Sequence, residues 1–224
     1  MSSAHADVAI GNFDSIAQPT SGEFGWDDFG SAPYVGGHSP DQFERGGNGQ
    51  LNVSAGGFSF DDGTDTDLYA FTSEPKWDFS LSGLNASSAF TSVVLQVAVS
   101  DAAGPPVLGH MSSGLFTIGG QTPDEFIDFG SRSDVDFNGD PISIHYYWAE
   151  WTGLTASSNL LLEVKSPQFD NPGVDSHHQL FTGAKISYVN TSDASFDITS
   201  VPEPGSMTII AFLSIATVIQ RRRR

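Results

Sequence analysis

One acidic stretch, D-V-D-F-N-G-D at residues 134–140, carries oxygen ligands at alternate positions. Carboxylate and amide oxygens in this spacing converge on a Ca²⁺ ion when a glycine lets the chain turn sharply. A calcium site in a loop between two strands is one interpretation. A polar hairpin turn built on Asn138-Gly139 is the other. Under the first interpretation the ligands are Asp134, Asp136, Asn138 and Asp140.

The similarity of this stretch to the first half of an EF-hand loop ends at its glycine. An EF-hand needs a glutamate at position twelve, where this sequence has His145. Pro141 replaces the usual aliphatic region, and the sequence predicts no helices on either side. We therefore exclude an EF-hand.

A second acidic stretch, D-D-G-T-D-T-D at residues 61–67, places four carboxylates within seven residues. Carboxylates this close repel one another unless they spread into solvent or share a cation. The stretch is either a solvated turn between Phe60 and Leu68 or a second structural calcium site. The candidate ligands are Asp61, Asp65 and Asp67.

The sequence H-Y-Y-W-A-E-W at residues 145–151 concentrates aromatic side chains in one predicted strand. Alternation along a strand puts His145, Tyr147 and Trp151 on one face. It puts Tyr146, Trp148 and Glu150 on the other. One face should be core, and the other could stack against sugar rings. The candidate platform comprises Tyr146, Tyr147, Trp148 and Trp151, with ordinary aromatic packing as the alternative.

Other catalytic constellations are absent from the sequence. His177 and His178 are adjacent and would point to opposite faces of a strand, so a polar loop is the better interpretation. The sequence contains no G-x-S-x-G, no H-E-x-x-H and no phosphate-binding glycine loop. We therefore predict a non-enzyme. A hydrolase with dispersed acidic catalytic residues remains an alternative.

The body of the chain is rich in strand and turn signals. Charged residues are only 16%, below the roughly 25% of an average domain, while glycine occurs 24 times. Alternating runs such as W-D-F-S-L at 77–81 and F-T-S-V-V-L-Q-V-A-V-S at 90–100 recur between Gly, Pro and Asn turns. Residues 7–65 look looser, with short strands only at 50–53 and 57–60. The sequence predicts an all-β antiparallel sandwich of jelly-roll kind.

The net charge excludes one class of partner. The whole chain carries −18, and the sequence before the last 24 residues has five cations against 26 acids, near −21. Such a body repels phosphate, so we predict no nucleic-acid binding. The chain has no cysteine, which removes disulfides, zinc–thiolate sites and cysteine nucleophiles.

The C-terminal 24 residues differ in character from this acidic body. Val201-Pro202-Glu203-Pro204 precedes a thirteen-residue apolar run, and four arginines follow. A helix of that length spans about 20 Å, less than the roughly 30 Å hydrocarbon core of a bilayer. Arginines directly after an apolar segment keep that end cytoplasmic. The apolar members are Met207, Ile209, Ile210, Phe212, Leu213, Ile215, Val218 and Ile219, and the basic end is Arg221, Arg222, Arg223 and Arg224.

This tail resembles the PEP-CTERM sorting signal in all three parts and in their order. The resemblance covers residues 201–224 and implies that an exosortase-type membrane enzyme recognises Val201, Pro202, Glu203 and Pro204. It further implies a transient inner-membrane intermediate, removal or exchange of the tail, and delivery to the cell surface or extracellular matrix. The two prolines agree with an extended, accessible motif.

The resulting domain prediction has three parts. Residues 1–6 contain Ala4-His5-Ala6, a small-x-small pattern typical of signal-peptidase sites, although no apolar segment precedes it. A start codon assigned too late would explain this. Residues 7–200 form the β-sandwich, and 201–224 form the tail with one short helix. We expect an exported structural or adhesive protein, with carbohydrate binding, including extracellular polysaccharide, as the alternative.

Overall fold

The computed structural model describes residues 20–27, 37–54, 57–61, 66–70, 76–101, 111–135, 141–165 and 179–195. Within these ranges the chain is built from thirteen strands and a single 3₁₀ turn, Ser113–Leu115. All strand pairings are antiparallel and fall into two sheets. The predicted all-β class is therefore confirmed.

Sheet A contains eight strands, with β8 and β13 at its centre. Its main order is β10-β11-β8-β13-β1-β3, and β6 joins both β13 and β5. The long pairing of β8 with β13 extends from Phe90 opposite Thr191 to Asp101 opposite Gln179. The strands are β1 (Gly22–Trp26), β3 (Phe43–Arg45), β5 (Gly57–Asp61), β6 (Thr66–Ala70), β8 (Phe90–Asp101), β10 (Glu125–Val135), β11 (Pro141–Thr155) and β13 (Gln179–Thr191).

Sheet B contains five strands in the order β2-β4-β7-β12-β9. Its centre is β7, which pairs on one side with β4 and on the other with β12. Its strands are β2 (Gly37–His38), β4 (Asn48–Ser54), β7 (Lys76–Ser82), β9 (Phe116–Ile118) and β12 (Asn159–Lys165).

One apolar cluster draws its members from both sheets. The inward residues of β8 are Val93, Leu95, Val97 and Val99, the alternate positions that the sequence predicts for one face of this strand. Aromatic rings connect the sheets. Trp26 of β1 meets Phe79 of β7 at 5.1 Å between ring centroids. Trp77 of β7 stacks on Phe181 of β13 at 5.2 Å, so burial of large aromatics holds the two sheets together.

The N-terminal part of the body contributes more core than the sequence predicted. Residues 22–26 (GEFGW) lie in the region that the sequence predicts to be loose, yet β1 buries Phe24 and Trp26 completely. Gly22 and Gly25 have no side chain, so an alternation of apolar and polar residues is not visible in this short run. Gly22 is required by packing, because a Cβ atom there would overlap the ring of Tyr188. Strand β1 therefore belongs to the core structure of the domain.

Turn chemistry agrees with the sequence where the turns are described. Gly119 and Gly120 have φ values of 57° and 82°, and Ile118 and Gln121 exchange two backbone hydrogen bonds around them. Positive φ at both central residues is the requirement of a two-residue hairpin turn, and glycine meets it without strain.

Across the described residues, no helix is long and apolar enough to cross a membrane.

Candidate functional site

Strand β11 presents the two faces that alternation predicts. Tyr147 and Trp151 lie in the core and are almost completely buried, and each still places its polar atom in a hydrogen bond. The Tyr147 hydroxyl accepts from the Met111 amide at 3.3 Å, and the Trp151 indole donates to the Gln121 carbonyl at 3.0 Å. Both residues are therefore structural, which corrects their inclusion in the aromatic platform.

Tyr146 and Trp148 lie on the opposite face of sheet A, away from the core shared with sheet B. Trp148 packs on Val94 and Val189, and Tyr146 packs on Ala98. Both aromatic residues are half-buried. Of the four residues in the predicted platform, Tyr146 and Trp148 are thus the two that lie on the outer face.

Polar side chains surround Trp148 on this same outer face. In the strand register Trp148 is opposite Gln96, which is opposite Lys185. One pair further along, Glu150 is opposite Val94, which is opposite Ser187. We call Gln96, Trp148, Glu150, Lys185 and Ser187 the outer polar cluster. It crosses three neighbouring strands, β11, β8 and β13.

The outer polar cluster is buried, unlike an ordinary solvent-facing sheet surface. Gln96 and Ser187 are 0% exposed and Glu150 is 1% exposed. Among the described residues, neither amide atom of Gln96 has a hydrogen-bond partner, and the same holds for Ser187 Oγ and Trp148 Nε1. Buried polar atoms without partners are rare in folded proteins and each needs an explanation.

Aromatic and charged side chains form the border of the cluster. Phe129 of β10 is 59% exposed and meets Trp148 edge to face, with ring centroids 6.4 Å apart. On the other side, Lys185 Nζ lies 3.9 Å from Glu23 Oε1. The cluster therefore has an apolar wall at β10 and a charged wall at β1.

Sheet B carries a second polar surface, a shallow groove of about 340 Å³. Glu44 is fixed there, since its Oε1 accepts from the Gly49 amide at 2.8 Å. Hydroxyl and amide groups dominate, and no aromatic side chain is among the lining residues. These are Ser39, Glu44, Asn48, Gly49, Gln50, Ser80 and Ser82.

An ionic network occupies the other end of the outer face of sheet B. Lys76 pairs with Glu163 and lies 3.1 Å from Asp78, and Thr117 donates to Glu163 at 3.3 Å. The hydrogen bond from Lys76 is the main cause that lowers the pKa of Glu163 and raises that of Lys76. Burial raises the pKa of Asp78 despite the nearby ammonium group.

The predicted calcium ligands fall largely outside the described residues. Asp65, Asp136, Asn138 and Asp140 lie there, and for Asp61, Asp67 and Asp134 only the backbone is described. That backbone shows that both acidic stretches join paired strands, β5 with β6 and β10 with β11. Calcium binding and the alternative of polar turns both stay predictions. Over the described ranges, no three His, Asp or Glu side chains are grouped to hold a metal ion.

The other predicted segments also lie outside the described residues. They are residues 1–6, the His177-His178 pair and the whole tail from Val201 to Arg224. The sorting motif, the apolar run and the basic end therefore remain predictions from the sequence.

Sequence reasoning missed most of the outer polar cluster. Gln96 interrupts a run of apolar residues, S-V-V-L-Q-V-A-V, and a polar residue inside a buried strand is a signal that could have found it. Lys185 and Ser187 alternate with apolar residues in A-K-I-S-Y-V, but this pattern is equally typical of a solvent-facing strand. Only the pairing of β13 with β8 brings them beside Gln96.

Comparison of the chain with protein-family models, with curated proteins and with solved structures finds no match.

Proposed function

We propose that this chain is an exported β-sandwich protein of jelly-roll kind, delivered to the cell surface or extracellular matrix through its C-terminal tail, where it has a structural or adhesive role. The observation that carries the proposal is the order of Val201-Pro202-Glu203-Pro204, an apolar run and four arginines at the end of the chain. An exosortase-type enzyme is the processing partner that this order implies.

Three features of the body fit an exported protein with a structural role. Two antiparallel sheets share one aromatic-rich core, so the domain needs no disulfide and has no cysteine to mispair. The strongly acidic composition keeps such a domain soluble and unattached to nucleic acid. On sheet B, Lys76 pairs with Glu163, which also accepts from Thr117, and such a local network fits a structural role.

The test is the intact mass of the protein from its own host, measured in cytoplasmic, membrane, surface and medium fractions. We expect a species truncated near Pro202 to Pro204 at the surface or in the medium. Replacement of Pro202, Glu203 and Pro204 by alanine should leave the full-length chain in the membrane. Ser206→Ala, next to the motif, is the matched control and should be processed like the parent.

Two results would contradict the proposal in different ways. A full-length parent protein held in the membrane would show a permanent anchor instead of a sorting signal. A full-length parent in the cytoplasm would overturn export altogether.

A second candidate function, carbohydrate binding, is favoured by the placement of Tyr146 and Trp148 together on the outer face of sheet A. Half-buried aromatic rings beside hydrogen-bonding groups are suited to sugar rings, which present both apolar and hydroxyl surfaces. A glycan array, run with and without Ca²⁺, tests this function. Trp148→Ala should remove the signal, whereas Leu161→Ala, at an exposed position on sheet B, should retain it. An array without hits would exclude the second candidate.

A further inference from the structure

The groove on sheet B is bounded by polar side chains of two neighbouring strands. Asn48 of β4 is opposite Ser82 of β7, and Gln50 is opposite Ser80. Leu81, between the two serines, is buried in the core, so alternation places these four polar side chains on the outer face. Side chains directly opposite each other are about 5 Å apart. The four therefore form a compact set of hydroxyl and amide groups.

One carboxylate joins this set from the other sheet. Glu44 lies on β3 in sheet A, and its side chain reaches β4, where the Gly49 amide donates to Oε1 at 2.8 Å. This hydrogen bond fixes the position of the carboxylate at the groove. Because Glu44 is exposed, its second oxygen, Oε2, can be reached by a ligand.

The amide of Gln50 is also held before any ligand binds. A Cβ atom on Gly37 would overlap this amide, so the side chain of Gln50 lies directly on the Gly37 backbone of β2. Groups that are already in place lose little conformational freedom on binding. The volume of about 340 Å³ is near the low end of the roughly 300–1,000 Å³ of ligand pockets, which suits one or two sugar rings.

The charge of the groove selects among ligands. Glu44 is the only charged side chain among the described residues that line it, and the whole chain carries −18. An anionic ligand would be repelled, and a neutral one would cover the carboxylate without pairing its charge. A calcium ion takes six to eight oxygen ligands, commonly with several carboxylates. One carboxylate among hydroxyl and amide groups therefore favours an organic ammonium group.

The other lining residues decide between kinds of ammonium compound. A lysine side chain carries its ammonium group on an apolar stem, and no apolar side chain is among the described residues that line the groove. Such a stem would cover the serine and amide groups without pairing them. A sugar ring with one amino group instead offers several hydroxyls, each of which both donates and accepts.

We propose that the groove on sheet B binds an amino-sugar unit whose amine is free and protonated. Glu44 pairs with the ammonium group, and the neighbouring serine and amide side chains bind the ring hydroxyls. The site lies on the other sheet from Tyr146 and Trp148, so it goes beyond the second candidate function and does not depend on it.

The decisive variant is Glu44→Gln, made in the full-length chain in mild detergent. Glutamine keeps an oxygen that accepts from the Gly49 amide, so the melting temperature should stay near that of the parent. Binding should fall at least about fivefold, because a charged hydrogen bond is lost. Ser80→Ala should weaken binding about threefold. Glu125→Gln removes the same charge from an exposed position on β10 and is the matched control for nonspecific attraction to an acidic chain.

Binding is measured by titration calorimetry at a pH at which the amines are protonated. The probes are the disaccharide of glucosamine, its N-acetylated counterpart and n-butylamine, which copies a lysine stem. We expect the parent, Glu125→Gln and Trp148→Ala to bind the first probe equally and the other two much more weakly. Thermal melting of every variant shows whether it is folded.

Four results would overturn the site. Absence of binding of the glucosamine disaccharide by the parent would remove it outright. Equal binding by the parent and Glu44→Gln, or an equal loss in Glu125→Gln, would show nonspecific attraction. Equal binding of the N-acetylated sugar or of n-butylamine would contradict the choice of ligand. Loss of binding in Trp148→Ala with normal melting would move the sugar to sheet A and leave the second candidate function standing.

Discussion

At the scale of single residues, Lys76 shows how few cations this acidic chain has and how it uses them. Its ammonium group lies between Asp78 and Glu163, and all three side chains are about one-quarter exposed. The lowered pKa of Glu163 means that the unfolded chain takes up a proton there more readily than the folded one. Glu163 therefore stabilises the fold above its ordinary pKa of about 4.5. That contribution is lost as the pH falls through the folded value.

The ionised Asp78 side chain contributes to stability with the opposite sign to Glu163. Burial raises the pKa of Asp78, so the folded chain binds the proton there more tightly than the unfolded chain does. Acidification through its folded pKa therefore relieves a cost at Asp78 while it removes the benefit at Glu163. A substitution at Glu163 separates the two effects.

We expect Glu163→Gln to lower the free energy of unfolding by up to about 1 kcal/mol at pH 7. The difference from the parent should shrink as the pH falls from the ordinary glutamate pKa through the lower folded value, since Glu163 is then neutral in both the folded and the unfolded chain. Urea unfolding at several pH values measures it. Glu125→Gln, at an exposed position of β10, is the control and should change little. A loss that is independent of pH would assign the effect to packing instead of charge.

At the scale of elements, the bulge in β11 brings this strand close to the end of β13. The register of β11 against β8 shifts between Trp151 and Leu154. Gly153 lies inside that shift with a φ of 62°, and a Cβ atom there would lie 2.5 Å from the Ala194 carbonyl oxygen. The bulge thus depends on glycine for both backbone conformation and space.

Gly153→Ala should therefore destabilise the protein by more than backbone strain alone. Gly119→Ala is the matched control, because Gly119 has a similar φ of 57° but no atom within 4 Å of an added Cβ. We expect about 1 kcal/mol of destabilisation for Gly119→Ala, and a further 1–3 kcal/mol, roughly, for Gly153→Ala. Thermal or urea unfolding gives both values. Equal losses of stability in the two variants would show that the Ala194 carbonyl moves away from the added Cβ atom at no cost in free energy.

At the scale of the whole molecule, the net charge of −18 acts against the compact state. Like charges are closer together in the folded chain than in the unfolded one, and salt screens their repulsion. Local ion pairs such as Lys76–Glu163 offset only a small part of this repulsion, since the body has only five cations.

We expect the melting temperature to rise as NaCl increases from low to roughly physiological ionic strength. Calorimetry at constant pH measures it, and an uncharged osmolyte separates screening from general solvent effects. CaCl₂ and MgCl₂ at matched ionic strength extend the test to the acidic stretches of residues 61–67 and 134–140. A rise specific to Ca²⁺ would support sites there, and equal effects would favour solvated turns. A melting temperature that falls with NaCl would contradict the repulsion argument.

The sequence by itself determined the strand-rich character of this protein, because alternation is a local property that survives without knowledge of the partner strands. It predicted the two faces of β11 and the Gly119-Gly120 turn, and the proposal of a sorting tail rests on it alone. Tertiary structure decided which face of β11 packs against sheet B, and Tyr147 and Trp151 therefore lie in the core. It also decided that β1 belongs to the core, and it placed Gln96 beside Ser187. These outcomes depend on pairing between distant segments, which no short window of sequence contains.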